Sequence, residues 1–429
     1  MIFPVAKQEQ RLKWAFESCK NGAWGSEPDG EDDVICIRAA DFDGQSGRLN
    51  DGERTLRSVD PATFEKVALR PGDLVMEKSG GGEKQLVGRT VLFSDERPSV
   101  CSNFLARCRP ADGIEPAYLN YLMLAIYAGR GTYPHIKQST GIQNLDLGSY
   151  LDTRVAIPDL PVQQRIARFL DEKTACIDAL IAKKQALLER LAEKRQALIT
   201  RAVTKGLNPD VPMKPSGVGW IGSVPARWMV APVKRIAKLE SGHTPDKKVD
   251  EYWQDCEIPW VSLNDTKALR SGDYIDDTAI KINELGLANS SARMLPPRAV
   301  VFTRDATIGE SAITTRSMAV SQHIIAWLCD EALLVPEYLL FAIYGMTQEL
   351  MRLTNGSTIG TIGLADVKGI CVPVPSIDEQ RKIVRHVFDG KGQVDRIIGA
   401  VEKSIETMRE HRSALITAAV TGQLPELNG

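Results

Sequence analysis

The stretch RQALITRAVT at residues 195–204 occurs again, with two changes, as RSALITAAVT at residues 412–421. Working outward from this pair, residues 155–204 align without a gap on residues 372–421, at a constant offset of 217. Looser similarity continues upstream, where EPAYLNYLMLAI at 115–126 resembles VPEYLLFAIYG at 335–345. A duplication of this length predicts two equivalent structural elements in one chain. The chain is therefore organised as a variable segment and a repeat, followed by a second variable segment and a second repeat.

Each repeat carries apolar residues in steps of four and three, which is the heptad pattern of a long helix that packs along one seam. About 40 such residues would form a rod of roughly 60 Å, and an isolated helix of this kind is rarely stable. Antiparallel pairing of the two copies within the chain would bury both seams, whereas a homodimeric coiled coil or ordinary core packing are the alternatives. Gly206 and Gly422 are expected to end the helices. The predicted seam consists of Ile166, Leu170, Ile177, Leu180, Leu187, Leu191 and Leu198 in the first copy, and Ile383, Val387, Val394, Ile397, Val401, Met408 and Leu415 in the second.

The variable segments contain short alternating strands with turn residues between them, and each then has a helix. The predicted fold class is α+β, with two β-rich recognition domains separated by two long helices that pair as an intramolecular antiparallel coiled coil with a pseudo-twofold internal repeat. The predicted domains are 1–155, the first recognition domain; 156–210, the first spacer helix; 211–370, the second recognition domain; and 371–429, the second spacer helix. Two unlike recognition domains held at a fixed distance would suit a site on duplex DNA that consists of two separated parts.

Composition narrows the function classes. The 429 residues are too many for one core and predict several domains, and 53 Lys+Arg against 55 Asp+Glu leave a net charge of −2. A nucleic acid must therefore be bound by local basic patches. The eight cysteines form no C-x-x-C pair, and no apolar stretch is long enough to span a bilayer. We expect a soluble cytoplasmic protein without a metal site or disulfides of its own.

Candidate DNA contacts are basic, amide and aromatic residues in loops, because their side chains match phosphates and base edges. Residues 130–144 contain no carboxylate, and 352–363 is the corresponding segment of the second variable part. The hairpin at 77–90 and the region around Arg304 are further candidates. The predicted DNA-binding residues are Lys78, Lys84, Arg89, Arg130, Tyr133, Lys137, Gln138, Asn144, Arg304, Arg352, Asn355 and Thr358.

Catalytic motifs give weaker signals. Asp246, Asp265 and Lys267 have the order of a magnesium-dependent nuclease site, in which two carboxylates hold the metal and a lysine steadies water. So short a pattern arises often by chance, and in the first variable segment Asp41 takes the place of Asp265 without a following lysine. The sequence therefore predicts no catalytic residues.

Three features together resemble the specificity subunit of type I restriction–modification systems. They are the duplicated helix with its ALIT ending, the GVGWIGSVPARW segment at 217–228, and the EQRKIVRHVF segment at 379–388. The resemblance covers essentially the whole chain. It implies a non-catalytic subunit whose two target-recognition domains each read half of a split DNA site.

The same resemblance implies partners: two methyltransferase subunits, which carry S-adenosylmethionine and methylate DNA, and restriction subunits, which use ATP and magnesium. This chain itself would carry no cofactor. By the resemblance, the polar residues at the helix starts are expected to dock the methyltransferase or to brace the recognition domains; they are Gln163, Gln164, Arg165, Gln380 and Arg381. The alternative is that they are simply the polar residues of a helix N-terminus. The alternatives left open are a coiled-coil adapter for protein partners and, less favoured, the nuclease.

Overall fold

The computed structural model describes residues 9–43, 46–82, 85–139, 141–355 and 360–427. The chain divides into two compact units, one formed by residues 1–186 with 401–429 and the other by residues 187–400. Each unit therefore contains one variable segment and parts of both repeats. No helix within the described residues is both long and apolar enough to cross a membrane.

The first variable segment, head 1, is built from short strands and three helices ahead of the first repeat. Its strands are β1 (Glu9–Arg11), β2 (Phe16–Asn21), β3 (Val34–Ile37), β4 (Thr55–Arg57), β5 (Leu74–Glu77), β6 (Ser79–Gly80), β7 (Thr90–Leu92), β8 (Ser99–Cys101), β9 (Leu105–Pro110), β10 (Ile136–Ser139), β11 (Ile142–Leu145) and β12 (Arg154–Ala156), and its helices are α1 (Pro61–Val67), α2 (Pro116–Ala128) and α3 (Leu147–Leu151).

Two sheets and one hairpin organise head 1. The antiparallel sheet has the order β2-β9-β5-β7, and a second sheet has the order β4-β3-β8, with β3 parallel to β8. Strand β6 extends the β10-β11 hairpin. Helix α2 is apolar around most of its circumference and is therefore buried, with Tyr118 and Leu122 inside the core that the larger sheet helps to form.

The first repeat is helix α4 (Leu160–Lys205), which Gly206 ends with a left-handed φ of 72°. Head 2 follows it with the strands and helices β13 (Met213–Pro215), β14 (Ser223–Pro225), β15 (Met229–Pro232), β16 (Ala237–Ser241), β17 (Ile258–Val261), α5 (Thr266–Ser271), β18 (Tyr274–Ile275), β19 (Lys281–Ile282), α6 (Glu284–Ala288), β20 (Met294–Leu295), β21 (Val300–Thr303), β22 (Ser311–Thr314), β23 (Met318–Val320), β24 (Ile324–Cys329), α7 (Pro336–Gly345), α8 (Thr347–Arg352), β25 (Thr354–Asn355), β26 (Thr361–Ile362), α9 (Leu364–Gly369) and β27 (Cys371–Val374).

Head 2 repeats the plan of head 1. Its main sheet has the order β16-β24-β21-β22-β18, the second has the order β19-β17-β23-β20, and β17 is parallel to β23. The β25-β26 hairpin occupies the place of β10-β11. The second repeat is helix α10 (Ile377–Val420), and Gly422 follows with a left-handed φ of 71°. The predicted α+β class, with two β-rich domains and long helices, is confirmed.

The two long helices pair antiparallel inside each unit. In the first unit Asp178 accepts a hydrogen bond from Arg412 at 2.9 Å, and Leu170 shares a core with Ala419. In the second unit Arg195 donates to Asp395 at 2.9 Å, across from the first repeat to the second. Both ion pairs join the same two repeat positions, since Asp395 and Arg412 lie 217 residues after Asp178 and Arg195.

The observed seam corrects the predicted one at alternate positions. Leu180 and Leu187 are 47% and 42% exposed, and Ile397 is 48% exposed, so these three residues are not part of the packed seam of this chain. In the observed seam, the alternating steps of four and three residues start at Leu170 and not at Ile166. At every second position, the packed residue is therefore the one directly after the predicted residue, for example Ile181 in place of Leu180. The buried or half-buried seam residues are Leu170, Thr174, Ile177, Ile181, Lys184, Leu188, Leu191, Arg195, Leu198 and Ala202, and their repeat equivalents Val387, Lys391, Val394, Ile398, Val401, Ile405, Met408, Arg412, Leu415 and Ala419.

The GVGWIGSVPARW segment fastens the start of head 2 to the second repeat. The indole of Trp220 donates to the Cys371 carbonyl at 3.2 Å, and the indole of Trp228, which is fully buried, donates to Glu379 at 3.1 Å. Strand β15 pairs with β27 directly before α10. This segment thus places head 2 and the start of α10 in a fixed relation within their unit.

Candidate nucleic-acid interface

Three segments of head 1 meet at one edge, which we call edge 1: residues 78–79 after β5, residues 103–104 before β9, and the β10-β11 hairpin. The backbone N–H groups of Lys78 and Ser79 donate to the Phe104 carbonyl at 2.9 and 3.1 Å, and the Leu145 N–H donates to the Lys78 carbonyl at 2.8 Å. Because these bonds are between backbone groups, they fix the edge without using side chains. The side chains remain to face outward or to pair with each other.

Head 2 forms the corresponding edge 2 from residues 304–305, residues 322–323 and the β25-β26 hairpin. The Arg304 N–H donates to the His323 carbonyl at 3.0 Å, and the Ile362 N–H donates to the Arg304 carbonyl at 2.9 Å. These two bonds correspond to the Lys78–Phe104 and Leu145–Lys78 bonds of edge 1, with Arg304 in the position of Lys78 and His323 in the position of Phe104. The two heads therefore share one backbone frame and differ in the side chains that it presents.

Lys78 is a cation at edge 1 that has no carboxylate partner among the described residues. Its side chain is half-buried, and within the described part of the chain no carboxylate lies within ion-pair distance of it. Burial lowers the pKa of Lys78 below the usual lysine value, because the charged ammonium loses hydration. A phosphate at this edge would supply the missing negative charge.

The β10-β11 hairpin carries three more of the predicted residues. Lys137 lies on β10 and donates to the carboxylate of Asp146 at 2.7 Å. Residues 130–144 contain no carboxylate, but Asp146, two positions after them, pairs with Lys137. Gln138 is exposed beside it, and Asn144 accepts a hydrogen bond from Ser79 at 2.6 Å.

Arg130 and Tyr133 form a separate pair just before the hairpin. The guanidinium lies 5.4 Å from the tyrosine ring centroid, and Tyr133 is 61% exposed. Arg130 has a left-handed φ of 56°, a conformation that a non-glycine residue adopts only when its surroundings hold it. The pair offers an exposed ring and a cation, a combination that suits a nucleotide.

Arg89, another predicted DNA-binding residue, is paired with a carboxylate inside head 1. Its guanidinium donates to Glu77 at 3.1 and 3.3 Å and to the Ala39 carbonyl at 3.3 Å, and the Glu77 side chain is almost fully buried. A buried carboxylate needs such a partner, because an unpaired buried charge is strongly unfavourable. Lys84, from the same predicted loop, lies outside the described residues.

At edge 2, Arg304 is mostly buried and lies 3.6 Å from Asp305, which in turn is 2.6 Å from His323. Arg352 donates to Glu349 one helical turn earlier, at 2.6 and 2.9 Å. Asn355 pairs through its backbone with Thr361 in the β25-β26 hairpin. Thr358 lies outside the described residues.

The sequence reasoning missed Asn103 and Phe104 in head 1, and Gln322 and His323 in head 2. Phe104 is 55% exposed at the edge, and Gln322 accepts a hydrogen bond from Thr244 at 2.5 Å. A signal was present in the sequence, because CSNFLARC at 101–108 and VSQHIIAW at 320–327 match in pattern around these two dissimilar pairs. Dissimilar residues within a matched frame mark the positions where two equivalent heads differ.

Asp265, one of the three nuclease-like residues, has structural partners. Asp265 is buried; one carboxylate oxygen accepts from the Ser262 N–H at 2.9 Å and the other from the Ala279 N–H at 2.6 Å. Asp41 in head 1 likewise accepts from the Arg38 N–H at 2.7 Å. No cluster of three or more His, Cys, Asp or Glu side chains with metal-binding geometry occurs in the described ranges. Asp265 therefore acts as a cap that shapes the turn after β17.

The predicted helix-start residues fall into two groups. Gln163 and Gln380 are buried and brace the heads: Gln163 accepts from the Glu115 N–H at 2.9 Å, and Gln380 accepts from the Val335 N–H at 2.8 Å. Both glutamines thus tie the loop before the buried helix of their head to the long helix. Gln164 and Arg381 are exposed, whereas Arg165 is half-buried.

Residues 225–399 match the family model described as the type I restriction modification DNA specificity domain. The type I restriction enzyme MjaIX specificity subunit of Methanocaldococcus jannaschii is 32% identical over 165 residues, which are 38% of each chain. The EcoKI specificity subunit of Escherichia coli is 25% identical over 219 residues, 48% of this chain and 45% of that one. The chain thus matches about two fifths of the length of such relatives.

Two solved structures share the fold over nearly the whole chain. A chain from a study of complex assembly and conformational transition of the type I R-M system superposes with a TM-score of 0.73 at 16% identity, covering 99% of this chain and 100% of that one. The HsdS subunit of Thermoanaerobacter tengcongensis superposes with a TM-score of 0.51 at 14% identity, covering 98% of both chains. Residues 225–399 are thus similar to the type I restriction modification DNA specificity domain, and the chain as a whole shares its fold with the two solved structures.

Proposed function

We propose that the chain is the DNA-specificity subunit of a type I restriction–modification complex and reads a bipartite DNA site with its two heads. Residues 1–155 and 211–370 serve as target-recognition domains, and residues 156–210 and 371–429 serve as spacer helices. The chain is not an enzyme; it selects the DNA on which its partners act.

The observation that carries this proposal is the equivalence of edges 1 and 2. A single backbone frame presented twice, with different side chains at matched positions, is the arrangement expected of two readers that recognise different short sequences. A protein adapter with two copies of one binding surface would instead have matching side chains there. The differing pairs are Lys78 and Arg304, Ser79 and Asp305, and Phe104 and His323.

The partners follow from the same proposal. Two methyltransferase subunits would dock on the chain with S-adenosylmethionine, and restriction subunits with ATP and magnesium would complete the assembly in the cytoplasm. The exposed residues Gln164 and Arg381, and Arg165, which follows Gln164 in the chain, are the positions that we propose for methyltransferase docking. Gln163 and Gln380 support this indirectly, because they hold the helix starts in place.

The test begins with the methylated adenines of the source genome. Sequencing them should yield a motif of two short words separated by a gap, and the full chain with its methyltransferase should bind a duplex carrying that motif more tightly than a scrambled duplex. Phe104→Ala should change discrimination in one word only, and His323→Ala in the other only. Each lost contact should cost about 1–3 kcal/mol of discrimination.

Equal affinity for the motif and the scrambled duplex would contradict the proposal and favour the protein adapter. Magnesium-dependent cleavage by the purified chain alone would favour the nuclease. In that case Asp265→Asn should abolish cleavage, although the carboxylate already accepts two backbone N–H groups.

A further inference from the structure

Head 2 contains a cleft of about 590 Å³ beside edge 2. This volume lies within the range of roughly 300–1,000 Å³ typical of sites for small organic ligands. Its walls come from the segment after β16, from the end of β17, and from the loop between β23 and β24. The residues that line the cleft include Lys247, Trp253, Trp260, Asn264, Ser321 and Gln322.

Two tryptophans form an aromatic wall of the cleft. The rings of Trp253 and Trp260 lie 5.7 Å apart between centroids, at an angle of 75°. Each indole N–H donates to a backbone carbonyl, that of Trp253 to Asp246 at 3.2 Å and that of Trp260 to His243 at 3.3 Å. Because these bonds fix both rings, the wall is preformed, and a planar aromatic ligand can stack against it without first ordering a side chain.

Ser321 supplies an independent sign of a missing ligand. The residue is 1% exposed and lines the cleft, and its Oγ has no hydrogen-bond partner within the described part of the chain. A buried hydroxyl without a partner is unfavourable, and native structures rarely retain one without cause. A ligand atom that accepts from or donates to this Oγ would remove that cost.

The polar groups around the cleft suit a neutral heteroaromatic ring. Asn264 and Gln322 carry both donors and acceptors, whereas the charges of Lys247 and Asp250 oppose each other at the rim. The neighbouring His323 contacts Asp305 at 2.6 Å, and Asp305 bridges to Thr361 of the hairpin. The cleft therefore opens where DNA would lie if edge 2 reads it.

We propose that this cleft receives a nucleobase rotated out of the duplex in the half-site that head 2 reads. The inference rests on the proposed function and deepens it. Stacking on tryptophan and hydrogen bonds to the base edge are the interactions that hold extruded bases in proteins. A free nucleoside has the same chemistry, and the experiment separates the two sources.

Head 1 does not repeat the aromatic wall. Cys36 pairs with Val100 in the register in which Trp260 pairs with Ala319, so a thiol occupies the equivalent position. We therefore expect extrusion into a cleft of this chain in the head 2 half-site only, separate from any base that the methyltransferase subunits themselves extrude. The head 1 half-site serves as an internal control.

The experiment is a mismatch scan of the methylated motif with the full chain and its methyltransferase. A mismatched base is easier to rotate out, so a mismatch at the extruded position should tighten binding roughly tenfold, while mismatches elsewhere in the motif weaken it. Trp253→Ala and Ser321→Ala should each remove most of this gain. Ser321→Ala deletes only a hydroxyl that has no partner among the described residues, so it should leave folding intact. Trp14→Ala on head 1 is the matched control that keeps the gain.

Suppose that no mismatch in the part of the motif read by head 2 tightens binding, while the intact motif is still preferred over a scrambled duplex. The proposal that a base enters the cleft is then wrong, and the proposed function stands. If the motif is not preferred at all, the proposed function fails first. In a second arm, the four free nucleosides are added without DNA and tryptophan fluorescence is measured. Saturable quenching that Ser321→Ala abolishes, without any mismatch effect, would assign the cleft to a free nucleoside and overturn the extrusion.

Discussion

At the residue scale, the outcome for each predicted DNA contact depends on whether the chain already supplies a partner for its charge. Arg89, Lys137 and Arg352 each contact a carboxylate, on Glu77, Asp146 and Glu349 respectively. No sequence pattern distinguished these cations from Lys78, because two of those carboxylates lie on the far side of a turn, 9 to 12 positions away in the chain. Residue type was thus predictable, whereas the pairing required the fold.

This difference leads to a prediction for Lys78. Lys78→Ala should weaken binding to the methylated motif more than Lys137→Ala does, because Lys137 must first give up Asp146 to contact a phosphate, whereas Lys78 need not. Each true phosphate contact that is lost should also lower the salt slope of binding by roughly one. Affinity measured over a salt series for both variants tests this. Unchanged affinity and salt slope in Lys78→Ala would place Lys78 outside the interface, and equal losses in the two variants would show that the Asp146 ion pair makes no difference.

Lys78 also predicts a pH dependence. Burial lowers its pKa in the free chain, and a bound phosphate would raise it again, so binding should take up a proton as the solution becomes alkaline. The contribution of Lys78 to DNA affinity should therefore be complete at low pH and decline as pH rises through its lowered pKa. In Lys78→Ala this alkaline decline should be smaller, which affinity measured over a pH series can check.

At the element scale, the repeat alone predicted both long helices and the glycines that end them, because a duplicated heptad pattern is a strong signal. The seam was placed one residue off at alternate positions, since the prediction favoured Leu180 and Leu187 over their neighbours Ile181 and Leu188. The observed seam instead admits polar residues such as Arg195 and Arg412, which ion pairs with Asp395 and Asp178 make tolerable. A pattern of apolar residues cannot indicate such positions.

The two equivalent ion pairs differ in burial, and this predicts unequal stability effects. The Arg412 side chain is 6% exposed, whereas that of Arg195 is 40% exposed. Asp178→Ala should lower the free energy of unfolding by about 1–3 kcal/mol, because it removes a partner of a buried guanidinium. Asp395→Ala should cost at most about 1 kcal/mol. Denaturant unfolding of both variants compares them directly, and equal losses would contradict the role of burial.

At the scale of the whole molecule, the sequence predicted the number of heads and their shared plan, but not which residues meet at the edge of each head. The heads were recognisable as α+β from their strands, and the matched strands around Phe104 and His323 show that they are one design used twice. The cleft of head 2 could not be anticipated, since its walls come from three segments separated by up to about 80 positions in the chain. Side chains such as Ser321 and Trp253 become neighbours only through the sheet order.

Lengthening both long helices tests whether they set the distance between the two DNA words that the heads are proposed to read. Seven residues that continue the seam are inserted into each long helix, at repeat-equivalent points between Ile177 and Leu191 and between Val394 and Met408. A whole heptad in both helices keeps the seam in phase and adds about 10 Å of helix at 1.5 Å per residue. The two recognised words should then stay the same, while the gap between them grows by roughly two to three base pairs, which methylation sequencing of a strain that carries the variant would reveal.

Two controls separate the effect of longer helices from that of a longer chain. A seven-residue insertion in the segment between α4 and β13, near Asn208, lengthens the chain without lengthening either helix and should leave the gap unchanged. A four-residue insertion in α4 alone puts its seam out of phase with that of α10 and should lower stability. If the whole-heptad variant methylates the original gap, the helices do not set the distance between the words. The two heads would then have to be positioned by contacts made in the assembled complex rather than by this chain.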